Sequence, residues 1–213
     1  MVNLKELNMK LTKEDIAKST TLDKILVQAL HSLDELDIVI RRLSVSLKEW
    51  YSYYNPLVLK LAEPELLIKA IEKKESGEMG AQFSKKDLEA CLKYSLQIKL
   101  LIDLRKQHFE YLTGLMSEVC PNILKVSGVY VGAKLIAIAG SLKSLAVMRS
   151  PTVQVLGAEK ALFRHLKNKS RPPKFGVIYM HPLISNSKEK AKIARKLASE
   201  IVIAARKDFY KNG

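Results

Sequence analysis

The sequence predicts an all-α protein: a long antiparallel coiled-coil hairpin arm followed by a compact helical domain. Three observations carry this. A first apolar seam at heptad spacing runs through residues 22–61. A second runs through residues 91–119 after a glycine-bearing loop. The net charge of +14 is confined to one end of the chain. Residues 1–120 hold 18 basic and 18 acidic side chains, whereas the remainder holds 18 basic and only four acidic ones. Such asymmetry predicts two modules, one of which faces a polyanion.

Residues 1–21 form a lead-in to which the sequence assigns no role. The arm is expected over 22–120 and the compact domain over 121–213. In the first seam Leu22, Leu26, Ala29, Leu33, Leu36, Ile40, Leu43, Leu47, Trp50, Tyr54, Leu57 and Leu61 alternate steps of four and three. That is the a/d pattern of a coiled-coil helix. Thr20, Thr21 and Asp23 cap its start. Pro56 predicts a break near Asn55, and Pro64 suits a new first turn. Gly77 and Gly80 mark a loop at the hairpin tip. Ser84 and Asp87 open the second long helix. Its seam is Cys91, Ser95, Ile98, Ile102, Arg105, Phe109, Leu112, Met116 and Val119. Two helices of similar length joined by a short loop pack as an antiparallel hairpin. Their two seams exceed what one hairpin buries, so a homodimer through the coiled coil is expected.

Cys120-Pro121-Asn122 ends the arm. Helical spacing returns over 133–148 and 152–167, with a turn near Gly157. Residues 168–182 hold three prolines and Gly176, the mark of a structured loop. A last helix is expected over 187–210, with Ile193, Leu197, Ile201, Ala204 and Ala205 inward.

The segment from Val153 to Lys167 concentrates the charge usefully. Leu162, Phe163 and Leu166 are expected to pack inward, which leaves Lys160, Arg164 and Lys167 on the opposite face. Gly157 and Ala158 lack bulk at the helix start, where free N–H groups can receive a phosphate. Lys169, Arg171 and Lys174 follow around Pro172-Pro173, whose stiffness lowers the entropy lost on docking.

Other chemistries find little support. The four histidines, His31, His108, His165 and His181, lack metal-ligand spacing, and Cys91 and Cys120 lie far apart, so neither a metal site nor a disulfide framework is expected. Glu159, Glu189, Glu200 and Asp208 show no acid/base pairing. No nucleophile elbow, dinucleotide fingerprint or phosphate loop is present. The reading is a protein with no cofactor and no catalytic residue, not an enzyme. Neither a membrane span nor a secretory leader is expected, which fits a reducing cytoplasm.

The run Gly157-Ala158-Glu159-Lys160-Ala161-Leu162-Phe163-Arg164-His165-Leu166 resembles the signature of the Nop-domain family. The resemblance extends to Gly132-Ala133-Lys134-Leu135-Ile136, Ala139-Gly140-Ser141-Leu142, Arg171-Pro172-Pro173-Lys174, His181-Pro182 and Ala204-Ala205-Arg206. In the arm, Leu33-Asp34-Glu35-Leu36-Asp37 and Glu49-Trp50-Tyr51-Ser52 match as well. The chain looks most like the archaeal branch, which serves box C/D small ribonucleoproteins.

That resemblance implies a non-catalytic scaffold. Its Nop domain would bind box C/D guide RNA at a kink-turn, together with the ribosomal protein that recognises that turn. The particle would support guide-directed 2′-O-methylation of RNA, including rRNA processing, by fibrillarin. The segment Gly157–Lys160 matches the family's RNA contact. With the neighbouring basic face, the expected RNA-binding set is Gln154, Gly157, Ala158, Glu159, Lys160, Arg164, Lys167, Arg171, Lys174 and His181. In the family an additional N-terminal domain binds fibrillarin, and this chain is expected to lack it. No basic tail follows Asn212, which favours an archaeal, cytoplasmic protein over a nucleolar one. The rival is a spliceosomal-type Nop protein holding a small nuclear RNA stem. That relative does not preserve the Ala-Glu-Lys-Ala-Leu-Phe-Arg run.

Overall fold

The computed structural model describes residues 4–77 and 79–211. Among these the chain is all-α, with no strand. The helices are α1 (Leu4–Ser19), α2 (Leu22–Ser52), α3 (Pro64–Glu72), α4 (Lys85–Val119), α5 (Pro121–Ser127), α6 (Val129–Ala139), α7 (Leu142–Val147), α8 (Ser150–Val155), α9 (Glu159–Asn168), α10 (Pro182–Ser185) and α11 (Lys190–Lys211). Two short 3₁₀ turns, Pro56–Lys60 and Val177–Met180, complete the list. The chain divides into two compact units, His31–Glu110 and the pair of segments Met1–Leu30 and Tyr111–Gly213. No single helix among the described residues is long and apolar enough to cross a membrane.

In the first unit α2 and α4 run antiparallel. Asp37 meets Arg105 near one end, and Tyr51 shares a cluster with Cys91 near the other. Their apolar faces close on α3 and the first 3₁₀ turn through Ile40, Leu47, Val58, Leu67, Ile71 and Ile98. The break at proline falls where expected. Helix α2 ends at Ser52, and Asn55 caps the turn by accepting from the Leu57 N–H at 3.1 Å. Asn55 is buried, and its Nδ2 donates to the Glu75 carbonyl at 3.1 Å. Ser84 and Asp87 cap α4 reciprocally: the Ser84 N–H donates to Asp87 Oδ2 at 3.0 Å, and the Asp87 N–H to Ser84 Oγ at 3.3 Å. Those bonds hold the Asp87 carboxyl below its usual range.

The seam of α4 is buried at Cys91, Ser95, Ile98, Ile102, Leu112, Met116 and Val119. The seam expected on α2 slips. Leu43 packs against the core but is only partly buried while its neighbour Ser44 is buried, and Tyr51 is buried where Trp50 was expected; Trp50 is 39% exposed. A straight helix drifts about 20° per heptad against a strict seven-residue repeat, so the next residue along takes over the seam.

In the second unit α11 supplies the central core face with Ala194, Leu197, Ala198, Ile201, Val202, Ala204 and Ala205. It packs on α5, α7, α8 and α10. Asp208, only 2% exposed, caps α5 from across the core. It accepts from the Asn122 and Ile123 N–H groups at 3.0 and 2.8 Å, and from Asn122 Nδ2 at 2.6 Å. Asp23 does the same at the start of α7, where Oδ2 accepts from the Leu142 N–H at 3.1 Å. Cys120 and Cys91 are free and buried. Burial pushes the Cys120 thiol up to about 12, far from nucleophilic use.

Candidate nucleic-acid interface

The α8–α9 junction and the loop 169–176 form one tied structure. Gly157 turns the chain with φ 88°, and a Cβ there would lie 2.5 Å from the Val177 side chain. The loop is clamped back onto this turn by main-chain bonds. The Gly176 N–H donates to the Gln154 carbonyl and the Val177 N–H to the Leu156 carbonyl, both at 2.8 Å. Gly176 lies so close that a Cβ would sit 1.8 Å from the Leu156 oxygen. Gln154 adds a third tie, its Nε2 donating to the Lys174 carbonyl at 2.8 Å. His165 Nδ1 contacts the Ser170 carbonyl where the chain leaves α9, next to Lys169 with φ 50°. The basic loop is thereby fixed before any ligand arrives.

The clamp brings Lys160, Arg164 and Lys167 of α9 into one region with Lys169, Arg171 and Lys174. All six are exposed, and none pairs with a carboxylate among the described residues. Such unneutralised cations on a rigid frame suit a phosphate backbone.

Two expectations at this site are corrected. Leu162, Phe163 and Leu166 do not pack inward: they are 36%, 68% and 68% exposed, and α9 buries no residue. Periodicity marks a face as apolar but does not say what covers it. The N-terminus of α9 is also not wholly free to take a phosphate. Glu159 Oε1 accepts from the Gly157 N–H at 2.7 Å, so a carboxylate of the chain itself already sits at the positive end of the helix. Ala158 is the N-cap and makes no side-chain hydrogen bond.

His181 stands apart in role. It caps α10, its Nδ1 accepting from the Leu183 N–H at 3.2 Å. Burial holds its pKa below the usual value, opposed by a bond with the Val126 backbone. Among the described residues no group of three His, Cys, Asp or Glu side chains gathers as metal ligands would. The buried Ser44, in the unit His31–Glu110, was not anticipated at all. A lone serine inside an apolar seam gives no signal of that kind.

The chain is 40% identical over 216 residues to an uncharacterized NOP5 family protein of Methanocaldococcus jannaschii, covering 88% of this chain and 52% of that protein. It is 36% identical to nucleolar protein 56 of Saccharomyces cerevisiae, covering 88% of this chain and 44% of the relative. It is also 36% identical to nucleolar protein 58 of Schizosaccharomyces pombe, with 87% and 42% covered. The chain thus spans about half the length of these relatives. A crystal structure of a fibrillarin/Nop5p complex contains a chain with the same fold, at TM-score 0.57 and 24% identity, covering 97% of this chain and 67% of that one. Residues 55–213 match the Nop family model, described as a snoRNA binding domain, fibrillarin, and the chain belongs to that family.

Proposed function

We propose that this chain is a non-catalytic RNA-binding scaffold of a box C/D ribonucleoprotein, of the archaeal kind. The observation that carries the reading is the clamped pair of α9 and loop 169–176. It holds six cations without carboxylate partners beside an exposed apolar stripe. One α-helix therefore offers two chemistries. Lys160, Arg164 and Lys167, with Arg171 and Lys174, meet RNA phosphates. Leu162, Phe163 and Leu166 meet a protein already seated on that RNA. A composite of kink-turn RNA and its ribosomal-protein partner has both faces, and its phosphates stand at fixed positions that a rigid frame can match. Gln154, Gly157, Ala158 and Glu159 shape the turn that presents them, and His181 holds α10 nearby.

The arm would pair two copies of the chain. Leu96, Leu100 and Leu104 form a stripe along α4 that stays exposed, and Trp50 and Tyr53 lie exposed at the end of α2. Fibrillarin would join in the full assembly and perform the 2′-O-methylation itself.

The test is a gel shift on a kink-turn RNA with and without the ribosomal protein. Changing Lys160, Arg164 and Arg171 singly to Ala should weaken binding to the loaded RNA by about tenfold each, with a shallower salt dependence. Phe163→Ser should erase the gain given by the ribosomal protein and spare weak binding to bare RNA. A correctly folded triple variant that binds the loaded RNA like the parent at moderate salt would place the interface elsewhere.

A further inference from the structure

In the unit His31–Glu110 a cleft of about 380 Å³ opens between one face of α2 and the start of α3. Its volume falls in the range of small-ligand pockets, and its wall is built as such pockets are, apolar with a few polar groups. Ile40 and Leu67 form a buried apolar floor. Arg41 and Lys48 stand at the wall one helical turn to either side of Ser44.

Three features are unusual together. Ser44 is 6% exposed, and its Oγ is buried with no hydrogen-bond partner among the described residues. A buried hydroxyl without a partner costs free energy, so its presence calls for a reason. One χ1 step reorients a serine hydroxyl. Arg41 forms no ion pair among the described residues, and Lys48 Nζ donates to the Leu61 carbonyl rather than to a carboxylate. The acid that does line the cleft, Asp37, is already neutralised by Arg105, with Arg105 Nε to Asp37 Oδ1 at 2.7 Å and a second bond at 3.3 Å. Pro64, the first residue of α3, forms part of the wall, while the carboxylates at that helix end, Glu63 and Glu65, are not among the residues that line it.

We infer that this cleft binds a small organic anion with an apolar body. The body lies on Ile40 and Leu67, and the head group meets Arg41, Lys48 and the Ser44 hydroxyl. An inorganic ion would leave the apolar floor unused, and a neutral apolar group would give Arg41 and Lys48 no counter-charge. The inference is independent of RNA binding, since none of its residues belongs to α9 or its loop.

Amide-resolved NMR titration of the full chain tests it with three probes. Phenylbutyrate supplies the chemistry as a free small molecule, phenylbutanamide is its neutral counterpart, and N-acetyl-glutamyl-tryptophan amide supplies it as protein side chains. Phenylbutyrate or the blocked dipeptide should shift resonances of Ile40–Lys48 and Ala62–Leu67 in a saturable way. Whichever of the two saturates at lower concentration identifies the source, and either result supports the site. The amide should bind about tenfold more weakly, because it lacks the charge-assisted bonds. Arg41→Glu, an exposed change that spares the core, should abolish saturation, and Ser44→Ala should weaken it severalfold. Equal binding of acid and amide overturns the inference. So does saturation retained in Arg41→Glu, or the absence of localised shifts with both anions.

Discussion

The two units of this protein treat charge in opposite ways. In His31–Glu110 basic and acidic residues balance, and several of them pair with one another. Lys99 pairs with Glu72 at 2.8 Å, Lys106 with Glu65 at 3.3 Å and Arg105 with Asp37 at 2.7 Å. Beyond residue 120 each of the four carboxylates is committed to a partner, one of them, Asp208, in the core. Asp208 caps α5, Glu159 holds the Gly157 N–H, Glu200 pairs with Lys196 on α11, and Glu189, just before α11, pairs with Lys192. None is left for Lys160, Arg164, Lys167, Arg171 or Lys174. An excess of cations is thus sharpened into a surface by where the few acids go. Net charge alone does not do this, since a basic chain whose acids faced its lysines would present no such field.

The clamp that builds this surface should be its weakest point. Gly176→Ala places a Cβ against the Leu156 carbonyl, where the nearest atom is backbone and cannot step aside. The loop must leave its two main-chain bonds, and Arg171 and Lys174 lose their fixed place. Affinity for loaded RNA should fall by more than tenfold, roughly the loss of two charge-assisted contacts. Helical circular dichroism should stay near the parent's, because Gly176 lies outside every helix. Unchanged affinity would show that the loop's rigidity does not matter.

A second prediction asks what the buried carboxylate of the basic unit is worth. Asp208→Ala strips three donors of their acceptor, two of them main-chain N–H groups at the start of α5. Stability should fall by about 3 kcal/mol, the scale of charge-assisted bonds lost with buried donors left behind. Urea unfolding of the parent and the variant measures it. A loss below about 1 kcal/mol, the scale of an ordinary exposed cap, would mean that water replaces the carboxylate freely.

Most of the helices were legible in the sequence because each is fixed locally. Pro56 and Pro64 place a break and a start, Ser84 and Asp87 form a capping box, and Gly157 turns the chain at positive φ. The α4 seam was legible from Cys91 to Val119, since the apolar period carries it. On α2 the register slipped to Ser44 and Tyr51, because a constant seven-residue period ignores helical drift. At the candidate interface the basic face of α9 could be read from spacing. The clamp through Gln154, Leu156, Gly176 and Val177 could not, because main-chain bonds between loops leave no residue-type signature. The exposure of Phe163 was hidden for a related reason: an apolar side chain does not state whether its cover is this chain or another.

Tyr51 offers a smaller effect in the balanced unit, with a distinctive pH dependence. Its hydroxyl donates to the Glu75 carbonyl at 3.0 Å, and burial pushes its pKa up to about 12. The unfolded phenol ionises near 10. Stability from this group is therefore complete below about pH 10 and lost as pH climbs toward the folded value, because the unfolded chain gives up the proton first. Tyr51→Phe should remove that alkaline loss. Near neutrality it should cost only about 1 kcal/mol, since a neutral hydrogen bond is worth little net and the Glu75 carbonyl keeps its bond from Asn55. An alkaline unfolding profile identical in parent and variant would assign the loss to other groups.

The smallest effect expected is that of the Asp37–Arg105 pair, and it separates the two uses of charge most directly. Both side chains are more than a third exposed, so solvent screens them despite bidentate geometry. A double-mutant cycle with Asp37→Asn and Arg105→Gln should give a coupling of about 0.5–1 kcal/mol at low salt. It should fade near 1 M salt, where the Debye length is about 3 Å. RNA affinity should fall over the same salt range, but for a different reason: counterions released from phosphates make that loss steep and continuous. Asp37→Asn removes a negative charge from the cleft wall beside Arg41, so phenylbutyrate should bind more tightly in that variant. A coupling that persists at high salt would show the pair to be shielded from solvent and structural. Tighter anion binding alongside a weak coupling would show instead that Asp37 matters mainly for the field it sets in the cleft.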